Sequence, residues 1–260
     1  MRSLRLPFAL LVVLALACGD GGGILVTTTT VPRATTGATT TTTSRIPTTT
    51  TSAPTTTVAD STTTLAVAYP QAALDYFVEV AFGPEFGGGP REIRKWNQDV
   101  RIVVHGNPND EDLATLDDVI ADLNAIIGTI EVSIVPGDGN VDLYFAPEEQ
   151  FADIEPNYVP VNMGFFWVWW DGQGDITNTR VLVSTTGLSQ EERNHIIREE
   201  ITQQMGLMSD SDTYPDSMFQ QAWTTTQAYS ELDELVIELL YLPRVQVGMN
   251  VEEALSAIGG

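Results

Sequence analysis

The chain has 260 residues, of which 43% are hydrophobic, and a formal net charge of −23. This length and hydrophobic content allow one globular domain with a sizeable core, together with segments outside it. The charge excludes nucleic acid and anionic lipid surfaces as favoured partners, because both would be repelled, and it favours cationic peptides or metal ions, although an acidic surface also serves as a solubility feature.

The first 17 residues have the features of a secretory signal peptide. Arg2 and Arg5 precede an apolar run at residues 6–17 that is too short to span a bilayer. The small residues before Cys18 predict cleavage that leaves Cys18 first, as in bacterial lipoproteins; an ordinary signal peptide with an incidental cysteine is the alternative. We therefore expect an exported protein of the cell surface or cell envelope, attached to the membrane only through a lipid on Cys18. Because Cys18 is the only cysteine, no internal disulfide and no thiolate metal site are expected.

Residues 18–65 consist of a glycine cluster followed by runs of threonine and proline. This composition cannot bury enough apolar surface to offset its ordering entropy, so the segment is predicted to be a disordered linker. Its expected role is to hold a domain away from the membrane, with or without O-glycosylation of the threonines. The globular domain is predicted to span residues 66–260, which contain 33 of the 35 acidic residues and 8 of the 12 basic ones.

Hydrophobic periodicity in the domain predicts both helices and strands. Helices are expected near residues 72–81, at residues 113–127 with Asp110 or Asp112 as N-cap, and at residues 232–241. Strands are expected at residues 100–105, 130–135, 141–145 and 180–184. The predicted fold class is α+β, in which a mixed sheet packs on a long helix that follows the last strand.

Residues 165–170 contain five aromatic side chains in six positions. Alternate side chains of a strand point to opposite faces, so a strand here cannot direct all five into one core. We expect one face to lie at a groove or interface, where an edge strand pairs with a ligand backbone; core packing on both faces is the alternative. The candidate ligand contacts are Phe165, Trp167, Trp169 and Trp170. The acidic turn at residues 171–175 fits either calcium binding or an ordinary hairpin turn.

The strongest helix signals occur at residues 189–207. Ser189 and Glu192 form a capping-box pattern, and Gly206 is typical of the end of a helix. At 100° per residue, one face of this helix carries three polar side chains, one per turn. They are His195, Glu199 and Gln203, and we call these three side chains the polar row.

The spacing of the polar side chains matches the frame of a zinc-peptidase motif. In H-E-x-x-H-x-x-G-L-x-H, metal ligands stand at i and i+4, a general-base Glu follows the first ligand, and the chain turns at the Gly. On this frame Glu199 and Gln203 take the two ligand positions and Glu200 takes the position of the base. Ser209 takes the position of the third ligand. An amide is a poor zinc ligand and a hydroxyl a worse one, so the frame is kept but its ligands are not.

The motif at residues 199–207 resembles that of a family of secreted bacterial domains of unknown function, similar in outline to metzincin-type zinc proteases. The pattern is E-E-[LI]-x-Q-x-x-G-L, and its fixed positions here are Glu199, Glu200, Gln203, Gly206 and Leu207. Asp210 and residues 217–219 and 232–249 extend the resemblance, which covers about the last two hundred residues. It implies a zincin-like fold in which the mixed sheet packs on an active-site-type helix, and it implies no settled activity.

The chemistry of the polar row has two interpretations. His195 and Glu199 can share a divalent metal, with His105 as a third ligand, or His195 is a partly buried residue hydrogen-bonded to Glu199. Glu200 can act as a general base, its pKa raised by apolar neighbours. Without a Lewis acid, a carboxylate base accelerates a reaction by roughly 10²- to 10⁴-fold, too little for peptide hydrolysis. Hydrolysis therefore requires a metal, for which zinc is the candidate, although no cofactor is expected.

The favoured hypothesis is a surface-anchored lipoprotein whose degenerate zinc-protease-like domain is a binding or scaffold module. Its ligand would be a protein, a peptide or a cell-wall component that the sequence does not identify. The alternative is an atypical metal-dependent peptidase that uses Glu200 as general base. A third hypothesis is a purely structural domain in which Glu199 and Gln203 belong to a buried polar network.

Overall fold

The computed structural model describes residues 23–26, 68–83 and 91–260. In chain order the elements are β1 (Gly23–Val26), α1 (Gln71–Phe82), β2 (Val100–Gly106), α2 (Asp110–Ile126), β3 (Val132–Ile134), β4 (Val141–Ala146), a 3₁₀ turn (Glu148–Gln150) leading into α3 (Phe151–Ile154), β5 (Gly164–Trp170), β6 (Ile176–Ser184), α4 (Gln190–Gln203), α5 (Glu231–Tyr241) and α6 (Val251–Gly259). The predicted α+β class is confirmed.

The N-terminal predictions lie almost entirely outside the described residues. These predictions are the signal peptide at residues 1–17, the lipid-anchor cysteine Cys18 and most of the linker at residues 18–65. Within the predicted linker, Gly23–Val26 form β1. Of the helices in the described ranges, none has the length and apolar character needed to cross a membrane.

The sheet is mixed, with the strand order β1-β5-β6-β4-β2-β3. Strands β6, β4, β2 and β3 run parallel to their neighbours, whereas β5 is antiparallel to β6 and to β1. The parallel part follows from the helical crossover α2 between β2 and β3. Strand β5 therefore lies between the parallel part of the sheet and a four-residue strand contributed from outside residues 68–260.

The two faces of the sheet carry cores of different size. One face and all the longer helices form the main core, to which β4 and β6 contribute residues such as Leu143 and Val181. On the opposite face a minor core cluster consists of Ala146, Phe151, Tyr158, Phe165 and Leu182. The period-2 alternation of the strands therefore assigns each residue of β4, β5 and β6 to one face or the other.

Helices α2, α4, α5 and α6 begin at capping boxes. Helix α4 starts as predicted, with Ser189 as N-cap and Glu192 bonding back to its backbone. The predicted cap of α2 was wrong: Asn109 is the N-cap, and Asp112 supplies the reciprocal bond from the third helical position. Three elements were not predicted from the sequence: β1, the short helical segment at residues 148–154 and helix α6.

Candidate functional site

Helix α4 is the structural centre of the candidate site. It contacts α2, β5 and β6, and every residue from His195 to Gln203 is buried. The apolar side chains Ile196, Ile197 and Ile201 pack in the main core. The polar row predicted from the spacing is therefore present, but it lies inside the protein.

His195 is engaged by protein atoms on both ring nitrogens. Nδ1 lies 2.9 Å from the carbonyl oxygen of Thr226, and Nε2 lies 3.5 Å from a carboxylate oxygen of Glu199. A carbonyl only accepts hydrogen bonds, so Nδ1 carries a proton. Burial lowers the pKa of His195, which favours the neutral form of the ring. The i, i+4 pair predicted from the sequence is formed, with Thr226 fixing the orientation of the ring.

His105 does not join His195. Its ring stacks on Tyr144 at 4.4 Å, and its Nε2 lies 2.7 Å from an oxygen of Asp142. Tyr144 packs with the minor core cluster, so His105 lies on the sheet face opposite to α4. The suggestion that His105 supplies a third ligand is therefore wrong, because the sheet separates it from His195.

Glu200 is enclosed where α4 meets the start of β5. A methyl group added at Gly164 would lie 2.2 Å from Oε1 of Glu200 and 2.6 Å from Ile196. Burial raises the pKa of Glu200 well above its usual range, and the nearby charge of Asp210 adds to the increase. The direction agrees with the sequence-based expectation. No pattern in the sequence indicated the contribution of Gly164, which has no local motif around it.

Gln203 connects α4 to the segment that follows it. Its Nε2 donates to Oδ1 of Asp210 at 2.5 Å. Two acceptor atoms of α4, Oε2 of Glu200 and Oε1 of Gln203, are buried without a hydrogen-bond partner in the described parts of the chain. We call Glu199, Glu200, Gln203 and Asp210 the carboxylate cluster.

The remaining motif positions shape the chain after α4. Gly206 has φ +117° and lies against the backbone of Arg94, so only glycine fits there without strain. Leu207 is buried in the main core. Ser209, the third ligand position of the zinc frame, is buried, with its backbone N–H bonded to the carbonyl of Val80 and its Oγ against Gly83.

The residues of the site do not fit a zinc ion. Within residues 68–83 and 91–260, no three His, Cys, Asp or Glu side chains are grouped to hold a metal. The side chains at the three ligand positions are a carboxylate, an amide and a hydroxyl, which are oxygen ligands suited to hard cations rather than to zinc. His195 lies 3.5 Å from the first of them, Glu199.

The candidate ligand contacts on β5 divide between the two faces of the sheet. Phe165 is fully buried in the minor core cluster and so has no surface to offer a ligand. Trp167 packs on the same cluster and is half-buried, and Arg180 lies over the ring of Trp169 at 5.6 Å. Trp170, beyond a β-bulge, is half-buried against the main core, with Arg94 at 4.7 Å. Of the four candidates, Phe165 and Trp167 therefore pack in or against the minor core cluster, and Trp170 packs against the main core.

The acidic turn after β5 is a hairpin turn. One oxygen of Asp171 accepts the backbone N–H groups of Gln173, Gly174 and Asp175 at 2.8, 3.0 and 3.1 Å. Asp175 accepts a hydrogen bond from Asn97. The carboxylates of Asp171 and Asp175 therefore accept hydrogen bonds that hold the turn closed.

Residues 217–219 are held by a buried network that the sequence did not reveal. Ser217 Oγ lies 2.6 Å from the hydroxyl of Tyr76 and donates to Asp233 at 2.5 Å. Asp233 also accepts the backbone N–H of Met218 and of Ser230, the N-cap of α5. The carboxylate of Asp233, which caps α5, thus fixes residues 217–219. Only the tertiary structure brings these residues within reach of Tyr76 on α1.

Comparison with known proteins gives one family. The model of a family described as protein of unknown function (DUF2927) matches residues 70–259. No curated protein matches the chain. Two solved structures of myroilysin are distantly similar, with TM-scores of 0.37 and 0.39 and identities of 10% and 12%. They cover 58% and 68% of this chain, and the matches include 82% and 97% of the respective myroilysin chains.

Proposed function

We propose, from the premise that the chain belongs to the family described as protein of unknown function (DUF2927), that its domain is a noncatalytic binding or scaffold module. In this proposal the domain keeps the frame of a metzincin-like zinc protease and is carried at the bacterial cell surface by a lipid on Cys18. The observation on which the proposal depends is the burial of the motif: Glu199, Glu200 and Gln203 are 1%, 2% and 0% exposed. A substrate must reach a general base, and Glu200 has no surface at which to meet one.

The proposed ligand surface is the outer edge of β5. Residues Phe166 to Trp169 pair antiparallel with Gly23–Val26, so this edge accepts an extended chain from outside residues 68–260. Main-chain pairing of this kind tolerates many sequences, and neighbouring side chains add selectivity. Trp167 and Trp169 stand beside the edge and are half-buried. Because the domain is strongly acidic, an extended peptide with basic flanks is the expected ligand class.

The test is a titration of the purified chain with a basic extended peptide, followed by backbone hydrogen exchange and by mass spectrometry of the peptide. Because β1 already pairs with this edge, the peptide must take the place of β1. We therefore expect saturable binding, faster exchange at Gly23–Val26, and an intact peptide. Trp167→Ala should weaken binding, whereas Ile134→Ala, which removes an exposed apolar side chain from β3 at the other end of the sheet, should not. Cleavage of the peptide that Glu200→Gln abolishes would overturn the proposal in favour of a peptidase.

A further inference from the structure

Strand β1 shows which kind of sequence pairs with the outer edge of β5. Its four residues pair one to one with four consecutive residues of β5. In order, the pairs are Gly23 with Trp169, Ile24 with Val168, Leu25 with Trp167 and Val26 with Phe166. Nowhere else in residues 18–65 do three residues drawn from Val, Ile and Leu follow one another. The edge is therefore paired with the one aliphatic run of a segment that is otherwise rich in threonine.

Two of the four pairs involve the main-core face of the sheet. Phe166 and Val168 are both 0% exposed and belong to the main core. Residues directly opposite each other in an antiparallel pair have their side chains on the same face. A ligand residue paired with Phe166 or Val168 therefore meets the edge of this core, where burial stabilises an aliphatic side chain and desolvates a polar one.

On the opposite face, Trp169 is held by a neighbouring cation. The guanidinium carbon of Arg180 lies 5.6 Å from the centre of the Trp169 ring. Nη1 of Arg180 donates to Oε2 of Glu155 and to the carbonyl of Ile154, both at 2.9 Å, and Glu155 is only 1% exposed. A basic ligand residue directly opposite Trp169 would bring a second positive charge to a ring that already carries one. In β1 the residue at this position is glycine.

We propose that the outer edge of β5 selects an extended peptide with an apolar centre. The peptide has an aliphatic residue opposite Val168 and another opposite Phe166, and a small uncharged residue opposite Trp169. Its four central residues thus resemble β1, and its basic residues are confined to the flanks. This inference rests on the proposed function, because it names the ligand class of the same surface.

The ligand and β1 compete for one edge, which gives a test within the chain itself. Ile24 pairs with Val168, so Ile24→Ser should weaken the pairing of β1 and make the edge easier to enter. Peptide affinity should then increase by up to about tenfold. The matched control is Ile46→Ser, the same change at another isoleucine of residues 18–65, which should leave the affinity unchanged.

The main test uses the purified chain and three peptides that have the same lysine flanks and differ only at the centre. The first centre is Gly-Ile-Leu-Val, the second is Gly-Ser-Leu-Ser and the third is Lys-Ile-Leu-Val. Affinity is measured by fluorescence anisotropy of the labelled peptide, and amide exchange at Gly23–Val26 reports the displacement of β1. The second peptide should bind more weakly by roughly tenfold for each aliphatic residue replaced. The third should also bind more weakly than the first, despite its higher positive charge.

The possible failures of this inference and of the proposed function are distinguishable. If the first peptide and either of the others bind equally tightly and displace β1, the edge binds peptides without the proposed selection; the inference is then overturned and the proposed function stands. Equal effects of Ile24→Ser and Ile46→Ser would also overturn the inference. If none of the three peptides binds, or if binding leaves exchange at Gly23–Val26 unchanged, the proposed ligand surface is wrong and the inference is wrong with it.

Discussion

Replacing Glu200 with glutamine should stabilise the domain at neutral pH in the presence of EDTA. Burial, followed by the charge of Asp210, raises the pKa of Glu200 well above the usual value of 4.5. The folded protein therefore keeps a proton at pH values at which the unfolded chain has released it. Stability conferred by this proton is complete below the unfolded pKa and is lost as the pH rises toward the folded pKa. Glutamine does not titrate, so the mutant lacks this loss.

The size of the effect follows from the proton linkage. Each pH unit between the unfolded and folded pKa values costs the wild type about 1.4 kcal/mol relative to the mutant. For every pH unit in this interval the difference therefore grows by that amount, which corresponds to roughly 3 to 6 °C in Tm for a domain of this size. His195 contributes a pH dependence of stability with the opposite sign, because burial lowers its pKa. This contribution is present in both proteins, so it cancels in the difference between them.

The assay is urea unfolding followed by tryptophan fluorescence at several pH values, with EDTA throughout. Glu252→Gln, at an exposed position of α6, is the matched control for the substitution itself. If the free energies of unfolding of wild type and Glu200→Gln run parallel between pH 5 and pH 7, the carboxyl group is not in the environment described here and the reasoning fails.

Three further predictions concern other parts of the fold. Gly164→Ala should lower the free energy of unfolding by about 1–3 kcal/mol in a urea titration, because the new methyl group meets the buried Glu200; Gly128→Ala, where a methyl group meets nothing within 4 Å, should change little. Burial lowers the pKa of Lys95 to about 8, so stability relative to Lys95→Met should rise between about pH 8 and pH 10, as chemical unfolding would show. A flat difference would contradict this. Deletion of residues 19–65 removes β1 and should accelerate amide exchange along the outer edge of β5; unchanged exchange would show that the pairing does not protect this edge.

The features that the sequence predicted are those set by neighbouring residues. The capping box at Ser189, the turn at Gly206 and the polar row of α4 depend on spacing within one helix, and all are present. The features it missed depend on distant segments. Thr226 orients His195 from a loop 31 residues away, and the face of the sheet on which His105 lies depends on the packing of the minor core cluster.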